Sequence, residues 1–234
     1  CPHHTVSDAG LVGGGPSPRP GEASLAHNGV MFLDELPKFK KHVLEVLRQP
    51  LEDKRVTIAR AAMSLSYPSS FMLVGAMNPC PCGYAGDPIR ACTCSATLKR
   101  SWGSRPVGPV ADHMLIQIEV SATRYRELVN RPAGESSASI RARVVAAREV
   151  QRTRFARTPR VETNDQMGPR HRDTYCRLDT EDQRLLTSVV DRLGMSAAEH
   201  DRIRVIARTI ADLAGSPNIK APHLAEAIHY RAFA

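Results

Sequence analysis

The stretch that most restricts what this chain can fold into is Val30-Met31-Phe32-Leu33 running straight into Asp34-Glu35. Four uninterrupted apolar residues read as a strand buried on both faces, the pattern of a parallel sheet. In open α/β sheets ligands bind beyond the carboxyl ends of the strands. Two adjacent carboxylates at such a tip therefore stand where a site would be. The order has the form of a Walker B motif. In that form Asp34 would hold Mg²⁺ on the β- and γ-phosphates of a nucleotide, usually through water, and Glu35 would orient and deprotonate the attacking water. The same residues also suit a core strand followed by an acidic turn, because patterns this short recur by chance.

Asn78 ends a second apolar run, Met72–Met77. At the tip of a neighbouring strand its amide would sit beside Asp34 and Glu35 and could hold the attacking water or the γ-phosphate, the sensor-1 position of AAA+ motors. Its other reading is a turn asparagine before Pro79. A phosphate-binding loop of the form G-x-x-x-x-G-K-[ST] is not met: Gly10 to Gly15 lead into Pro16 and Ser17 rather than a lysine and a hydroxyl residue. Because the chain opens on Cys1 and not on Met, it reads as a piece whose N-terminal part is missing.

Cys80-Pro81-Cys82 and Cys92-Thr93-Cys94 form two close pairs nine residues apart. Four thiolates in two pairs suit a tetrahedral Zn²⁺ site, although C-x-C is tighter than the usual C-x₂-C. Reduced, unligated thiols are the alternative. With no export signal, six cysteines point to a reducing compartment, hence the cytoplasm, rather than to a disulfide framework. Cys1 and Cys176 read as unrelated to the cluster. His3 and His4 are adjacent, so on a regular element they diverge and make a poor chelating pair.

The rest divides into an α/β core over 1–120, a linker over 121–137 and a helical domain over 138–234. In the core, Ala23–Asn28 is helix-like. Lys38–Gln49 reads as an amphipathic helix with Phe39, Val43, Val46 and Leu47 on one face and Pro50 as its stop. Glu52–Arg60 and Met63–Tyr67 form a hairpin with Val56 and Ile58 inward, and Phe71–Met77 is a second buried strand. Residues 80–110 read as a loop, and Leu115–Val120 as a further strand or the end of the core. From Ser139 the pattern is helical. Ile140, Val144, Ala147 and Gln151 make a stripe amid Arg141, Arg143, Arg148, Arg152 and Arg154. Thr180 caps a helix carrying Leu185, Leu186, Val189, Val190 and Leu193, closed by Gly194. Ser196–Glu199 is a capping box, and Pro222 starts a last helix with Leu224 and Ile228. The net charge of +8 favours a polyanionic partner. The arginine-rich helix would contact DNA phosphates, or is simply a solvated face. No apolar run approaches membrane-spanning length.

The blocks GEASLAHNGVMFLDELP (Gly21–Pro37), LRQPLED (Leu47–Asp53), AMNPCPCGY (Ala76–Tyr84), YCRLD (Tyr175–Asp179) and ARTIADLA (Ala207–Ala214) resemble the magnesium-chelatase-like AAA+ proteins of bacteria, the ComM/YifB group. The resemblance covers nearly the whole chain. It implies a P-loop ATPase core, here truncated, followed by an all-helical domain, and Walker B roles for Asp34 and Glu35 with sensor 1 at Asn78. It also implies ring assembly, typically hexameric, and ATP-driven branch migration of DNA during recombination in natural transformation. Arg60 on the hairpin would be a DNA-facing tip.

The chain also departs from the family pattern. The Walker A loop is absent. Where the family reads G-P-L-L-D-R-I-D, this chain has Gly108 to Leu115 with His113 in place of the arginine. A histidine lacks the fork and permanent charge of an arginine finger, and Arg105 is the substitute candidate. The family's S-A-R stretch reads Ser196-Ala197-Ala198, with Arg202 and Arg204 as substitutes for a nucleotide-sensing role. Two other functions remain: an impaired ring component or DNA-binding scaffold, and a chelatase subunit inserting metal into a tetrapyrrole.

Overall fold

The computed structural model describes the chain except residues 16, 61–62, 111–112, 121–131, 160 and 232–234, and except the side chains of 60, 63 and 105–109. It forms two compact units, one from Cys1–Met114 and one from Leu115–Glu119 and the helices after Ser136.

The first unit opens with α1 (Asp8–Val12), whose N-terminus is capped by the Ser7 hydroxyl, then the short pair β1 (Gly13–Gly14) and β2 (Arg19–Pro20), then α2 (Glu22–Leu25). Here the glycines serve close backbone approach. A Cβ on Gly21 would lie 2.4 Å from the Gly13 nitrogen, and one on Gly13, at φ 102°, would lie 2.5 Å from the Arg19 carbonyl oxygen. Next come β3 (Val30–Leu33), α3 (Lys41–Glu45), α4 (Arg48–Asp53), the antiparallel hairpin β4 (Arg55–Arg60) and β5 (Met63–Pro68), β6 (Met72–Gly75) and α5 (Ala96–Val110). β3 and β6 pair in parallel, Val30 against Met72 through Leu33 against Gly75.

Several elements differ from expectation. β3 is buried on one face only: Met31 and Leu33 join the core, while Val30 is 56% and its neighbour Met72 63% exposed. Among the described residues no element covers that outer face, so an apolar run that suits two-sided burial is here half-exposed. The single helix expected over Lys38–Gln49 is instead a 3-10 turn at Leu36–Lys38, then α3 and α4. Pro50 does not stop a helix. It occupies the first turn of α4, where the missing N–H has no intrahelical partner to lose. The buried face is nevertheless as read, with Phe39, Val43 and Leu47 all in the core. Residues 96–110 are helix rather than loop. The Ser95 hydroxyl accepts from the Leu98 N–H at 3.2 Å, and α5 packs on α3 and on the 36–38 turn with Val110 buried in the core. That burial outweighs the poor helix propensity of Gly103, Pro106, Gly108 and Pro109. Leu115–Glu119 forms no strand. It belongs to the second unit, where the Gln117 N–H donates to the Tyr230 carbonyl at 3.1 Å.

The second unit contains α6 (Ser137–Phe155), α7 (Pro169–Tyr175), α8 (Thr180–Leu193), α9 (Ala197–Leu213) and α10 (Ala221–His229). The cap of α8 is Asp179, not Thr180: its carboxylate accepts from the Asp182 N–H, and Gly194 closes the helix at φ 63°. The Ser196/Glu199 capping box opens α9 as its spacing requires. Leu186, Ile203, Ile206 and Leu224 pack with Phe155 and Cys176 in one core. Among the described residues no helix is long and apolar enough to cross a membrane.

An ionic network spans that core. Asp212 accepts from Arg154 Nη1 and Nη2 at 2.7 and 2.6 Å, from Asn164 Nδ2 at 2.8 Å and from Arg208 Nε at 3.1 Å. Arg208 also donates to the Ser216 and Pro217 carbonyls that follow α9. Burial alone would raise the Asp212 pKa, but the hydrogen bonds from Arg154 and Asn164 and the charges of Arg208 and Arg154 hold it below the ordinary carboxylate range. Asp212→Ala leaves two guanidinium groups facing each other in the interior, and should destabilise the helical unit by about 3–5 kcal/mol in urea unfolding. Because the folded pKa is depressed, the stabilisation is full above the unfolded value near ~4 and is lost as pH falls through the folded one. The same titrations below that pH should show the wild type converging on the variant.

Candidate functional site at the sheet edge

The parallel pairing of β3 and β6 continues one step beyond both strands. The Ala76 N–H donates to the Leu33 carbonyl at 2.9 Å, and the Leu36 N–H donates to the Ala76 carbonyl at 3.0 Å. Asp34 and Glu35 lie between those two anchors, so the chain loops out at this point. The turn puts Glu35 in the left-handed region at φ 52°, ψ 46°, uncommon for a residue with a Cβ and concentrated at functional sites. Asp34 is exposed, and its Oδ1 accepts from the Glu35 N–H at 2.8 Å.

Glu35 is held by neighbours. Lys38 Nζ donates to its Oε1 at 2.6 Å, and His4 Nδ1 lies 3.9 Å from its Oε2. The Lys38 hydrogen bond, with smaller contributions from the charges of Lys38, His4 and His3, outweighs the cost of burial and keeps the carboxyl below its ordinary range. Glu35 is therefore a carboxylate at neutral pH. Lys38 was legible as the residue three positions on, in the turn that Glu35 starts. His4 carried no local signal, because its approach depends on the path of the N-terminal loop.

Asn78 follows Ala76 by two residues, beyond the end of β6, and is exposed. Its carbonyl accepts from Trp102 Nε1 of α5 at 3.0 Å. The edge thus carries two carboxylates, with hard oxygens of the kind Mg²⁺ prefers, and the chain leaving β6 carries Asn78 three residues beyond Gly75. The described residues include no P-loop.

Beyond the tip of β6, Cys80, Cys82, Cys92 and Cys94 converge, their sulfurs all within 4.8 Å of one another. A hydrogen bond from the Tyr84 backbone, aided by the Cys80 thiol, brings Cys82 down to about 6. Cys94 receives a backbone hydrogen bond from Cys82, but burial and the neighbouring Cys82 and Cys80 thiols prevail and push it up to about 11. This cluster could hold a metal ion.

The arginines divide. Arg154 is a core residue in the Asp212 network and not a phosphate contact, because its partners lie in the interior. Arg143 grips Glu135 with both terminal nitrogens, and Arg152 pairs with Glu149. Arg141 and Arg148 remain exposed on α6. Arg204 is engaged within its own unit, by the Cys176 and Arg172 carbonyls and by Asp201. Arg202 sits half-buried on the same helix. The side chains of Arg60 and Arg105, and all of Asp112, lie outside the described residues. His113 Nε2 is 3.6 Å from Glu52 Oε1.

The family model of magnesium chelatase, subunit ChlI, matches residues 1–128, and that of the ChlI C-terminal region matches 134–231. The competence protein ComM of Haemophilus influenzae is 42% identical over 234 residues, 99% of this chain and 44% of that protein. The protein YifB of Escherichia coli is 40% identical over 232 residues, again 99% of this chain and 44% of that protein. The magnesium-chelatase subunit ChlI of Chlorella vulgaris is 33% identical over 60 residues, 26% of this chain and 17% of that protein. The chain therefore spans less than half the length of the ComM and YifB proteins it matches.

The left-handed backbone at Glu35 yields a test of whether the side chain is kept for function. Glu35→Gly removes the Cβ that this conformation disfavours and loses only an exposed ion pair. It should unfold at an equal or higher urea concentration than the wild type; a clear drop would show that Glu35 is a structural residue.

Proposed function

Because the chain belongs to the magnesium chelatase ChlI family, we propose that it is part of an AAA+ motor subunit that binds and hydrolyses Mg²⁺-ATP and couples the hydrolysis to branch migration of DNA. The observation that carries this reading is the sheet edge. Glu35 is ionised and held by Lys38 beside an exposed Asp34, and Asn78 follows the end of the parallel neighbour strand β6. Asp34 would hold Mg²⁺, which when bound supplies charge neutralisation on the phosphates. Glu35 would orient the attacking water and accept its proton, Lys38 swinging away to free the carboxylate. Asn78 would fix the water or the γ-phosphate. ATP would be shared with neighbouring copies in a ring, a hexamer by analogy with AAA+ motors, with Arg202 and Arg105 as the candidate residues to sense it. The net charge of +8 and the exposed Arg141 and Arg148 support DNA as the polyanion.

A second reading, a ring component or DNA scaffold with impaired hydrolysis, is favoured by His113 and Ala198, which stand where the resemblance leads one to expect arginines. His113 is also drawn to Glu52 of its own unit.

One experiment separates the two: ATP turnover by the complete gene product containing these residues, with and without four-way-junction DNA, beside Glu35→Gln. The motor reading expects DNA-stimulated turnover that falls about 10²-fold or more in Glu35→Gln, as loss of a general base does. A folded, nucleotide-binding wild type with no more turnover than Glu35→Gln overturns it in favour of the scaffold. Under either reading, Arg141→Ala and Arg148→Ala should each reduce the slope of log affinity for duplex DNA against log salt by about 0.9, measured by fluorescence anisotropy across a salt series.

A further inference from the structure

We propose that Cys80, Cys82, Cys92 and Cys94 bind one zinc ion, and that this ion clasps the tip of β6, where Asn78 sits, to the start of α5. Bound to one tetrahedral ion at about 2.3 Å, four thiolates stand about 3.8 Å apart. The observed separations are 3.3 Å for Cys80–Cys82, 3.7 Å for Cys80–Cys92 and 3.6 Å for Cys82–Cys92. These are far longer than the roughly 2.05 Å of a disulfide, and all six cysteines are free. A cluster of several irons would need its four cysteines spread around a larger body, so the spacing suits a single soft ion held by sulfur alone.

The intervening chain is shaped for this. Gly83 at φ 81° lets the backbone turn back so that its N–H donates to the Cys80 carbonyl at 3.0 Å. Asp87 Oδ1 then accepts from the Ile89 and Arg90 N–H groups at 2.7 and 2.8 Å, and Arg90 Nη1 donates to the Tyr84 hydroxyl at 2.7 Å. These bonds return the chain to Cys92. Yet no residue from 81 to 95 is buried. A segment with no core of its own is where a structural metal contributes most to order. Both ends of the loop lead to the site: Asn78 precedes Cys80 by two residues, and Ser95, directly after Cys94, caps the helix whose Trp102 donates to the Asn78 carbonyl.

Trp102 is the sole tryptophan of the chain, so its emission reports on the clasp directly. The test uses the 234-residue chain, purified without chelator or added metal, and reads zinc by mass spectrometry of the elements. One zinc per chain is expected, retained in Cys1→Ser and lost in the double variant Cys92→Ser/Cys94→Ser. A strong chelator should red-shift Trp102 emission and raise its quenching by acrylamide, and added zinc should reverse both. In case the double variant does not fold, Co²⁺ exchanged into the wild type should show the intense visible bands and near-ultraviolet sulfur charge transfer of tetrahedral thiolate coordination. The proposal is overturned if the folded chain, incubated with excess zinc and gel-filtered, carries none. It is equally overturned if iron occupies the site, or if the mass shows paired loss of hydrogens from disulfides. Because none of these readouts uses ATP, the zinc clasp and the motor reading stand or fall separately.

Discussion

The first unit depends on the two backbone hydrogen bonds that Ala76 makes to the chain on either side of Asp34-Glu35. Parallel strands in register bring their carboxyl ends to one edge, and these bonds extend the register just far enough to pinch the acidic pair out of it. The pinch sets the left-handed Glu35 and starts the turn that returns Lys38 to its carboxylate, while Asn78 follows Ala76 by two residues. Gly75 permits the close fit: a Cβ there would already stand 3.2 Å from Leu36 Cδ2. The site is thus a product of backbone geometry first and of side-chain chemistry second.

The helical unit is organised by a different principle. Its core is crossed by Asp212 with Arg154 and Arg208, charges that cost much to bury and are tolerable because their polar atoms are so fully partnered. The network joins α6 to α9 and to the chain after it, from positions far apart in sequence. It also accounts for the Ala207–Ala214 block in this chain: Arg208 and Asp212, one turn apart on α9, are an internal pair. The arginines of α6 that remain outside are the ones a polyanion could reach.

Between the sheet edge and the rest of the first unit lies a loop with no apolar interior. Its internal hydrogen bonds bring four sulfurs to the spacing of one tetrahedral ion. A metal there would do for residues 80–95 what the Leu33–Leu44–Leu47 core does for the strands, and would do so next to Asn78 and the helix that contacts it.

By itself the sequence determined whatever depends on neighbours within a turn or along a strand. The apolar run into Asp34-Glu35, the Val56/Ile58 alternation of the hairpin, the Ser196/Glu199 capping box, the glycine stop at Gly194 and the paired cysteines are all local patterns, and all are found in place. Where it misled, a distant contact prevailed over a local preference. Residues 96–110 form a helix despite two prolines and two glycines, because the helix packs on α3 and the 36–38 turn and places Val110 in the core. Pro50 lies in the first turn of a second helix rather than ending the first, while Leu47 and Val43 are buried in the core. Arg154 looked like one more charge on a basic helix until Asp212, 58 residues away, drew it inside. Only the tertiary structure could decide these points, and likewise His4 beside Glu35 and Trp102 on Asn78. Burial and long-range ion pairing act between residues that the linear order does not bring together, and they exceed the propensity of any single residue.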